Sequence, residues 1–241
     1  RLELEGAAIA TVISRALTLV ASLLILHFRE HLLDFKALTL REMWQSWKAI
    51  GKIAIPATVT NLLEPIGLGV VTRLIATYGA SSVAAWGAGS RVTAFALVPV
   101  FAVCSALVPF VGQNWGAGEY GRVRTGRNYG YIFAVVWSIS MIGVLRIFAE
   151  PVASVFSLDG DVLAEIVRYL WILPFGYFGV GLLRVTEETL NAIGRPIMAS
   201  VQTLVHMFGL YIPLAFVGAN TMAMNGLLGG LAIADAMGGG I

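Results

Sequence analysis

The sequence predicts an all-α polytopic membrane protein, and three observations carry this prediction. The first is the composition, since the 241 residues are 58% hydrophobic and only 12% charged. An ordinary soluble domain has about 25% charged residues, so a soluble enzyme, a disordered tail and a coiled coil are excluded. The second is that the 27 glycines are spread through the apolar stretches, which is typical of closely packed membrane helices.

The third observation is a series of seven apolar runs, each at least as long as the roughly 20 residues that a membrane-spanning helix needs. Their limits are roughly 6–28, 53–77, 82–111, 129–149, 162–186, 197–217 and 222–241. We therefore predict about seven transmembrane helices.

Basic residues alternate between the connections that join these runs. Nine Lys or Arg residues lie in the connections 29–52, 112–128 and 191–196. The other connections contain neither residue type and lie near 78–81, 150–161 and 218–221. By the positive-inside rule, the basic connections are predicted to be cytoplasmic. The longest of them includes the segment 40–48 with two tryptophans, which predicts a short amphipathic helix in the membrane interface.

Glu64 is the clearest charge inside a predicted span. A charge at the bilayer centre costs at least about 2.5–3.5 kcal/mol, so an ionisable residue there is a functional hypothesis by default. Pro56 and Pro65 flank Glu64, and each proline leaves a carbonyl without its helical donor. Carbonyl and carboxylate oxygens suit a proton or a sodium ion. The alternative is a structural partner for an arginine, and Arg91 lies at a similar predicted depth within one helical turn.

Further polar residues occur near the cytoplasmic end of the fifth run and in the sixth. Arg184 and Glu188 are four residues apart and are predicted to pair on one helix face. The alternative is that Glu187 or Glu188 lines the inner end of a water-filled cavity. Gln202 and His206 share a face, which fits either a polar path or hydrogen bonds between packed helices.

No enzymatic motif is present in the sequence. His27, His31 and His206 do not form a metal-ligand spacing with Cys104. The glycines near 116–118 lack the lysine that follows in a phosphate-binding loop. We therefore expect no enzyme activity, no cofactor and no nucleic-acid partner.

Four segments in order carry a family resemblance, at 56–64, 111–117, 155–162 and 190–196. Over essentially its whole length the chain resembles the C-terminal half of a MATE (multidrug and toxic compound extrusion) transporter. The resemblance implies the last helix of an N-terminal lobe at 1–28 and a cytoplasmic inter-lobe loop with an amphipathic helix at 29–52. It implies a six-helix C-terminal lobe at 53–241, and we expect the remainder of the N-terminal lobe as its partner.

The resemblance also implies the function and the site. MATE transporters export organic cations or aromatic drugs while protons or sodium ions enter. In the sodium-coupled branch, a glutamate eight residues after a proline helps to bind the cation, and Glu64 matches that position. The branch has a carboxylate and a tyrosine on the fourth helix of the lobe, where this chain has Leu182 and Phe178. The candidate cation-coupling or substrate-binding residues are Glu64, Asn61, Tyr177 and Phe178, with Arg91 as partner of Glu64.

Several alternatives stay open at this stage. The coupling ion, Na⁺ or H⁺, and any metal are unassigned. A lipid or oligosaccharide flippase of the same superfamily would use several basic residues for phosphate groups, whereas only Arg91 is clearly deep here. The third hypothesis is that the chain is a fragment that does not transport on its own. In each case we expect a plasma-membrane protein surrounded by lipid, in the bacterial inner membrane.

Overall fold

The structure is a computed structural model that describes residues 3–30 and 39–240, without the side chains of 3–5, 7–8, 49, 52–57 and 59–61. It consists of two compact units, Arg1–Lys52 and Ile53–Ile241. In the first unit, helix α1 spans Glu3–Leu24 and continues as a π-helical turn at Ile25–Arg29. That the first unit closes a preceding lobe stays a prediction.

Helix α2 spans Leu40–Ala76 and begins at a capping box. The backbone N–H of Thr39 donates to Oε2 of Glu42 at 3.0 Å, and the N–H of Glu42 donates to Oγ1 of Thr39 at 3.4 Å. These reciprocal bonds satisfy two N–H groups at the start of a helix, and the hydroxyl and backbone bonds from Thr39 lower the pKa of Glu42. The predicted amphipathic helix at 40–48 is therefore the start of α2, which continues as one helix through the predicted span at 53–77.

The remaining helices belong to the second unit. They are α3 (Ala80–Gly116), α4 (Tyr120–Ile147), α5 (Ala149–Ser154), α6 (Gly160–Ile172), α7 (Tyr177–Ala192), α8 (Pro196–Leu204) and α9 (Ile212–Gly238). A 3₁₀ turn at Leu173–Gly176 joins α6 to α7, and a π-helical segment at Val205–Tyr211 joins α8 to α9. Helix α9 reverses direction at Met222 and Ala223, where the backbone leaves helical geometry.

The described residues contain 5 segments that are long and apolar enough to cross a membrane. They are Ile9–Arg29, Ala80–Gly116, Tyr120–Ile147, Gly160–Ala192 and Pro196–Gly238. The last has 43 residues and includes the reversal within α9. The all-helical membrane fold is confirmed, whereas the count of seven spans stays a prediction.

Two of the motifs that carry the family resemblance, at 155–162 and 190–196, lie at helix ends. Gly194 closes α7 with φ +76°, and the N–H of Arg195 donates to the carbonyl of Leu190 at 2.8 Å. This is a Schellman cap, which requires a left-handed residue and therefore favours glycine. Gly118 ends α3 at φ +78°. Asp159 starts α6, because its side chain accepts from two backbone N–H groups.

The second half of α9 packs against α7 at backbone distance. A Cβ atom at Gly179 would overlap the carbonyl of Asp235, and one at Gly176 would meet both Asp235 and Ala232. Only glycine permits such an approach, as is common where membrane helices pack. This contact holds Asp235 against α7 in the interior of the unit.

We predict that Gly179→Ala destabilises the protein by about 1–3 kcal/mol, the usual cost of overpacking a close interface. The added methyl group must displace the backbone of α9. Thermal unfolding of the detergent-solubilised protein measures the effect. Gly143→Ala is the matched control, because a Cβ at Gly143 enters open space within a helix. Equal melting temperatures for the two variants would contradict the packing argument.

Candidate functional site

A cavity of about 420 Å³ opens among the helices of the second unit. This volume falls in the range of pockets for drug-sized ligands, about 300–1,000 Å³. Helices α2, α3, α6, α7, α8 and α9, the 3₁₀ turn and the π-helical segment all contribute to it. The aromatic and charged residues of its lining are Trp86, Phe101, Tyr169, Tyr177, Tyr211, Glu64, Arg184, Glu187, His206 and Asp235.

Aromatic rings form much of the cavity wall. Trp86 and Tyr169 meet edge to face with ring centroids 5.6 Å apart. Phe101 and Tyr211 also line the space. Such walls can stack a flat apolar ligand, and their ring faces attract a cation.

Thr93 connects two of these tyrosines at the cavity wall. Its Oγ1 lies 2.8 Å from the hydroxyl of Tyr169 and 2.7 Å from the hydroxyl of Tyr177. The same hydroxyl donates to the carbonyl of Gly89 at 3.1 Å. A Cβ at Gly89 would overlap the ring of Tyr169, so glycine at this position lets the ring reach Thr93.

Arg184 forms an ion pair at the edge of the cavity, but with a different partner from the predicted one. Its Nη1 lies 2.8 Å from Oε2 of Glu187, and its guanidinium lies 5.5 Å from the centre of the Phe101 ring. The predicted pair with Glu188 is therefore wrong, because the guanidinium reaches the residue three positions on rather than four. The alternative that a glutamate lines a cavity holds for Glu187.

The structure brings together two of the site residues that were predicted from the sequence. Glu64 and Tyr177 line the same cavity, and Glu64 is near enough to Arg184 to act on it electrostatically. Phe178 is half-buried and is not among the lining residues. The side chain of Asn61 lies outside the described residues. The coupling or substrate role of all four residues stays a prediction.

Arg91 does not accompany Glu64 in the cavity. Arg91 is exposed, and the ion pairs of the described residues do not include these two side chains. The cavity face of α3 carries Ser90, Thr93 and Leu97. Since each helical residue is rotated by about 100° from the next, Arg91 lies off that face.

Asp235 was not predicted from the sequence, and the structure places it beside His206. Nε2 of His206 lies 3.3 Å from Oδ1 of Asp235, and each residue is only 8% exposed. The contact is at ion-pair distance but is not an aligned hydrogen bond. The signal for Asp235 was available, because it is a carboxylate within an apolar run and the rule applied to Glu64 covers it equally.

The family model described as MatE matches residues 56–217. The chain belongs to the MATE family. It is therefore an integral membrane protein, and its bacterial relatives indicate the inner membrane.

Two curated relatives and two solved structures describe what this MATE chain is similar to. The FAD transporter of Shewanella oneidensis is 35% identical over 98% of this chain and 52% of that protein. The probable multidrug resistance protein YoeA of Bacillus subtilis is 25% identical over 90% of this chain and 48% of the relative. A mutant of the Vibrio cholerae MATE transporter VcmN is 29% identical with a TM-score of 0.84, over 98% of this chain and 53% of that one.

The second structure is a MOP superfamily transporter from Pyrococcus furiosus. It has a TM-score of 0.83 at 19% identity over 98% of this chain and 54% of that one, and it supports the fold alone. The chain thus spans about half the length of the relatives and structures that it matches.

We predict that Thr93→Val destabilises the protein by about 1–3 kcal/mol, the typical cost of leaving a buried polar group without its partner. The valine keeps the shape of the side chain but removes the bonds to Tyr169 and Tyr177. Thermal unfolding measures the loss, with Thr125→Val as control because the hydroxyl of Thr125 is exposed and bonds only within its own helix. The double variant tests the shared bond. If Tyr177→Phe destabilises the Thr93→Val protein as much as it destabilises the unmodified protein, the bond between Thr93 and Tyr177 does not contribute to stability.

Proposed function

We propose that this chain is the C-terminal part of a transporter that exports organic cations or aromatic drugs in exchange for protons or sodium ions. The observation that carries the proposal is the cavity of the second unit, which combines aromatic walls with three carboxylates. These are Glu64, Glu187 and Asp235. A flat cation satisfies both features, because the rings contact its faces and a carboxylate neutralises its charge.

Glu64 is the carboxylate best placed to meet such a substrate. It is exposed at the cavity, whereas Glu187 is paired with Arg184 and Asp235 is buried beside His206. A carboxylate without an ion-pair partner among the described residues is available to an incoming cation. We therefore assign Glu64 to substrate binding, and Tyr177 to the cavity wall beside it.

The flippase alternative receives less support from the cavity. A phosphate head group needs unpaired basic side chains. The only Lys or Arg among the described lining residues is Arg184, and Glu187 already neutralises it. Arg91, the basic residue that favoured this alternative in the sequence, is not among the lining residues.

We predict that Glu64→Gln reduces efflux of ethidium, an aromatic cation. Loss of one charge-assisted contact is worth about 1.5–3 kcal/mol, which corresponds to about tenfold to a hundredfold in apparent affinity. Efflux is measured in cells lacking their own exporters, with the protein expressed at the full length that its gene encodes.

The matched control is Glu150→Gln, which removes an exposed carboxylate in the first turn of α5, away from the cavity. It should export ethidium as the unmodified protein does. Full, ion-dependent efflux by Glu64→Gln would remove Glu64 from the substrate site. Absence of any transport by the unmodified protein would contradict the proposed function itself.

A flavin dinucleotide is the second candidate substrate, because the relative at 35% identity over 98% of this chain is named an FAD transporter. The aromatic wall can stack flavin or adenine rings as well as a drug. Arg184 is the residue that would meet a phosphate, provided that it exchanges Glu187 for the ligand.

Arg184→Gln distinguishes the two substrates. If the protein carries a dinucleotide, this variant should weaken FAD binding by about tenfold or more, since hydrogen bonds to charged groups contribute about 1.5–3 kcal/mol. Ethidium binding should then be unchanged or stronger. Flavin and ethidium fluorescence titrations of the purified protein measure both affinities, and a protein that binds ethidium but not FAD excludes the second candidate.

A further inference from the structure

The last elements of the chain hold two titratable side chains against each other inside the second unit. His206 lies in the π-helical segment and Asp235 in the second half of α9. A Cβ at Gly238 would overlap the imidazole of His206, so glycine makes the space that the ring occupies. The glycine at 176 does the same for Asp235 from the side of α7. The close packing at these two glycines therefore determines where the side chains of His206 and Asp235 lie.

The pair carries an uncompensated charge when it holds no proton. An ionised Asp235 beside a neutral imidazole leaves one negative charge in the interior, and an unpaired buried charge is costly. Arg184, the cation of the cavity, is engaged by Glu187 at 2.8 Å. One proton on the pair removes the net charge, whether it resides on the carboxylate or the imidazole.

The surroundings suit a proton better than a sodium ion. Sodium requires several oxygen ligands, but the Nε2 atom of His206 occupies one side of the Asp235 carboxylate at 3.3 Å. A proton needs only the two atoms that are already in contact.

The other titratable groups around the pair come from several elements. Tyr169, Tyr177 and Tyr211 lie within electrostatic range of Asp235, and Glu64 acts on Tyr211. Free phenols ionise only near pH 10, so these tyrosines are not expected to compete for the proton at neutral pH. The amide oxygen of Gln202, one turn before His206, is buried without a hydrogen-bond partner among the described residues.

We propose that His206 and Asp235 form the proton-binding site of the transporter, and therefore that the coupling ion is a proton. This inference rests on the proposed antiport function. The proton enters from the outer aqueous phase, is held between Oδ1 of Asp235 and Nε2 of His206, and leaves to the inner phase. No covalent bond other than that to the proton forms or breaks.

The π-helical segment provides a route from this pair to the substrate side. π-helical turns are frequent at functional sites. Met207 follows His206 directly, and a Cβ at Gly67 would overlap its side chain. Gly67 lies three residues after Glu64 on α2, so movement of the segment on protonation acts on the helix that carries Glu64.

The first experiment detects the proton without transport. pH-difference infrared spectroscopy of the full-length protein in lipid nanodiscs should show the carbonyl stretch of a protonated carboxyl group. The band should vanish in Asp235→Asn. It should persist in Asp161→Asn, which changes an exposed aspartate in the first turn of α6.

His206→Gln serves as a second variant if Asp235→Asn does not fold. It keeps a polar side chain but removes the titratable ring, so the carboxyl band should remain and its pH midpoint should move by about 1 pH unit or more. A merely structural contact would leave the midpoint unchanged. A band that survives unaltered in Asp235→Asn, or a midpoint that does not move in His206→Gln, overturns the proposal.

The second experiment separates coupling from substrate movement. In proteoliposomes, Asp235→Asn should lose ethidium transport driven by a proton gradient by about tenfold or more, within the range typical of coupling between two sites. The loss of gradient-driven transport should exceed any loss of ethidium exchange at equal concentrations without a gradient, since Asp235 also lines the cavity.

The outcomes of this experiment are distinguishable. Gradient-driven transport that persists in Asp235→Asn contradicts the proton site but leaves the antiport function intact. If the unmodified protein neither exports nor exchanges ethidium, the antiport function is contradicted, and the infrared band still decides whether the pair binds a proton. If the unmodified protein uses only a sodium gradient, its proton coupling is contradicted.

Discussion

The backbone contact between α7 and the second half of α9 is the constraint on which the candidate site depends. Gly176 and Gly179 bring the two elements together without intervening side chains. That approach places Asp235 at the cavity, and Gly238 then leaves room for the imidazole of His206. A membrane interior offers little hydrophobic drive for helix association, so close van der Waals packing of this kind must supply it.

The sequence was sufficient for the fold class and for most helix positions. Low charge and long apolar runs dictate helices, because a spanning segment must satisfy its backbone internally. Two of the four segments that carry the resemblance contain helix-end signals, as Asp159 and Gly194 illustrate. The segment 56–64 lies within α2 and contains Glu64. The predicted amphipathic helix at 40–48 and the predicted span at 53–77 form one helix, because a basic, amphipathic stretch can continue directly into an apolar helix.

The candidate site was only partly predictable, because the sequence does not show how each helix is rotated or how far a long side chain extends. Glu64 is found by the cost of an intramembrane charge, and the same rule would have found Asp235 had it been applied to the last run. The partner of Glu64 could not be read from depth alone. The predicted depths of Arg91 and Glu64 are similar, but the rotation of α3 turns Arg91 off the cavity face. Likewise, the choice of Glu187 over Glu188 depends on how the guanidinium of Arg184 is oriented.

The three hydroxyls around Thr93 have a consequence for the hydrogen-bonding character of the cavity. Each hydroxyl has one proton, and the hydroxyl of Thr93 also lies 3.1 Å from the carbonyl of Gly89. When Thr93 donates to that carbonyl, Tyr169 and Tyr177 each donate to the Thr93 oxygen. In that arrangement both phenols offer the cavity lone pairs and no proton. This part of the wall then favours ligands that bring N–H donors.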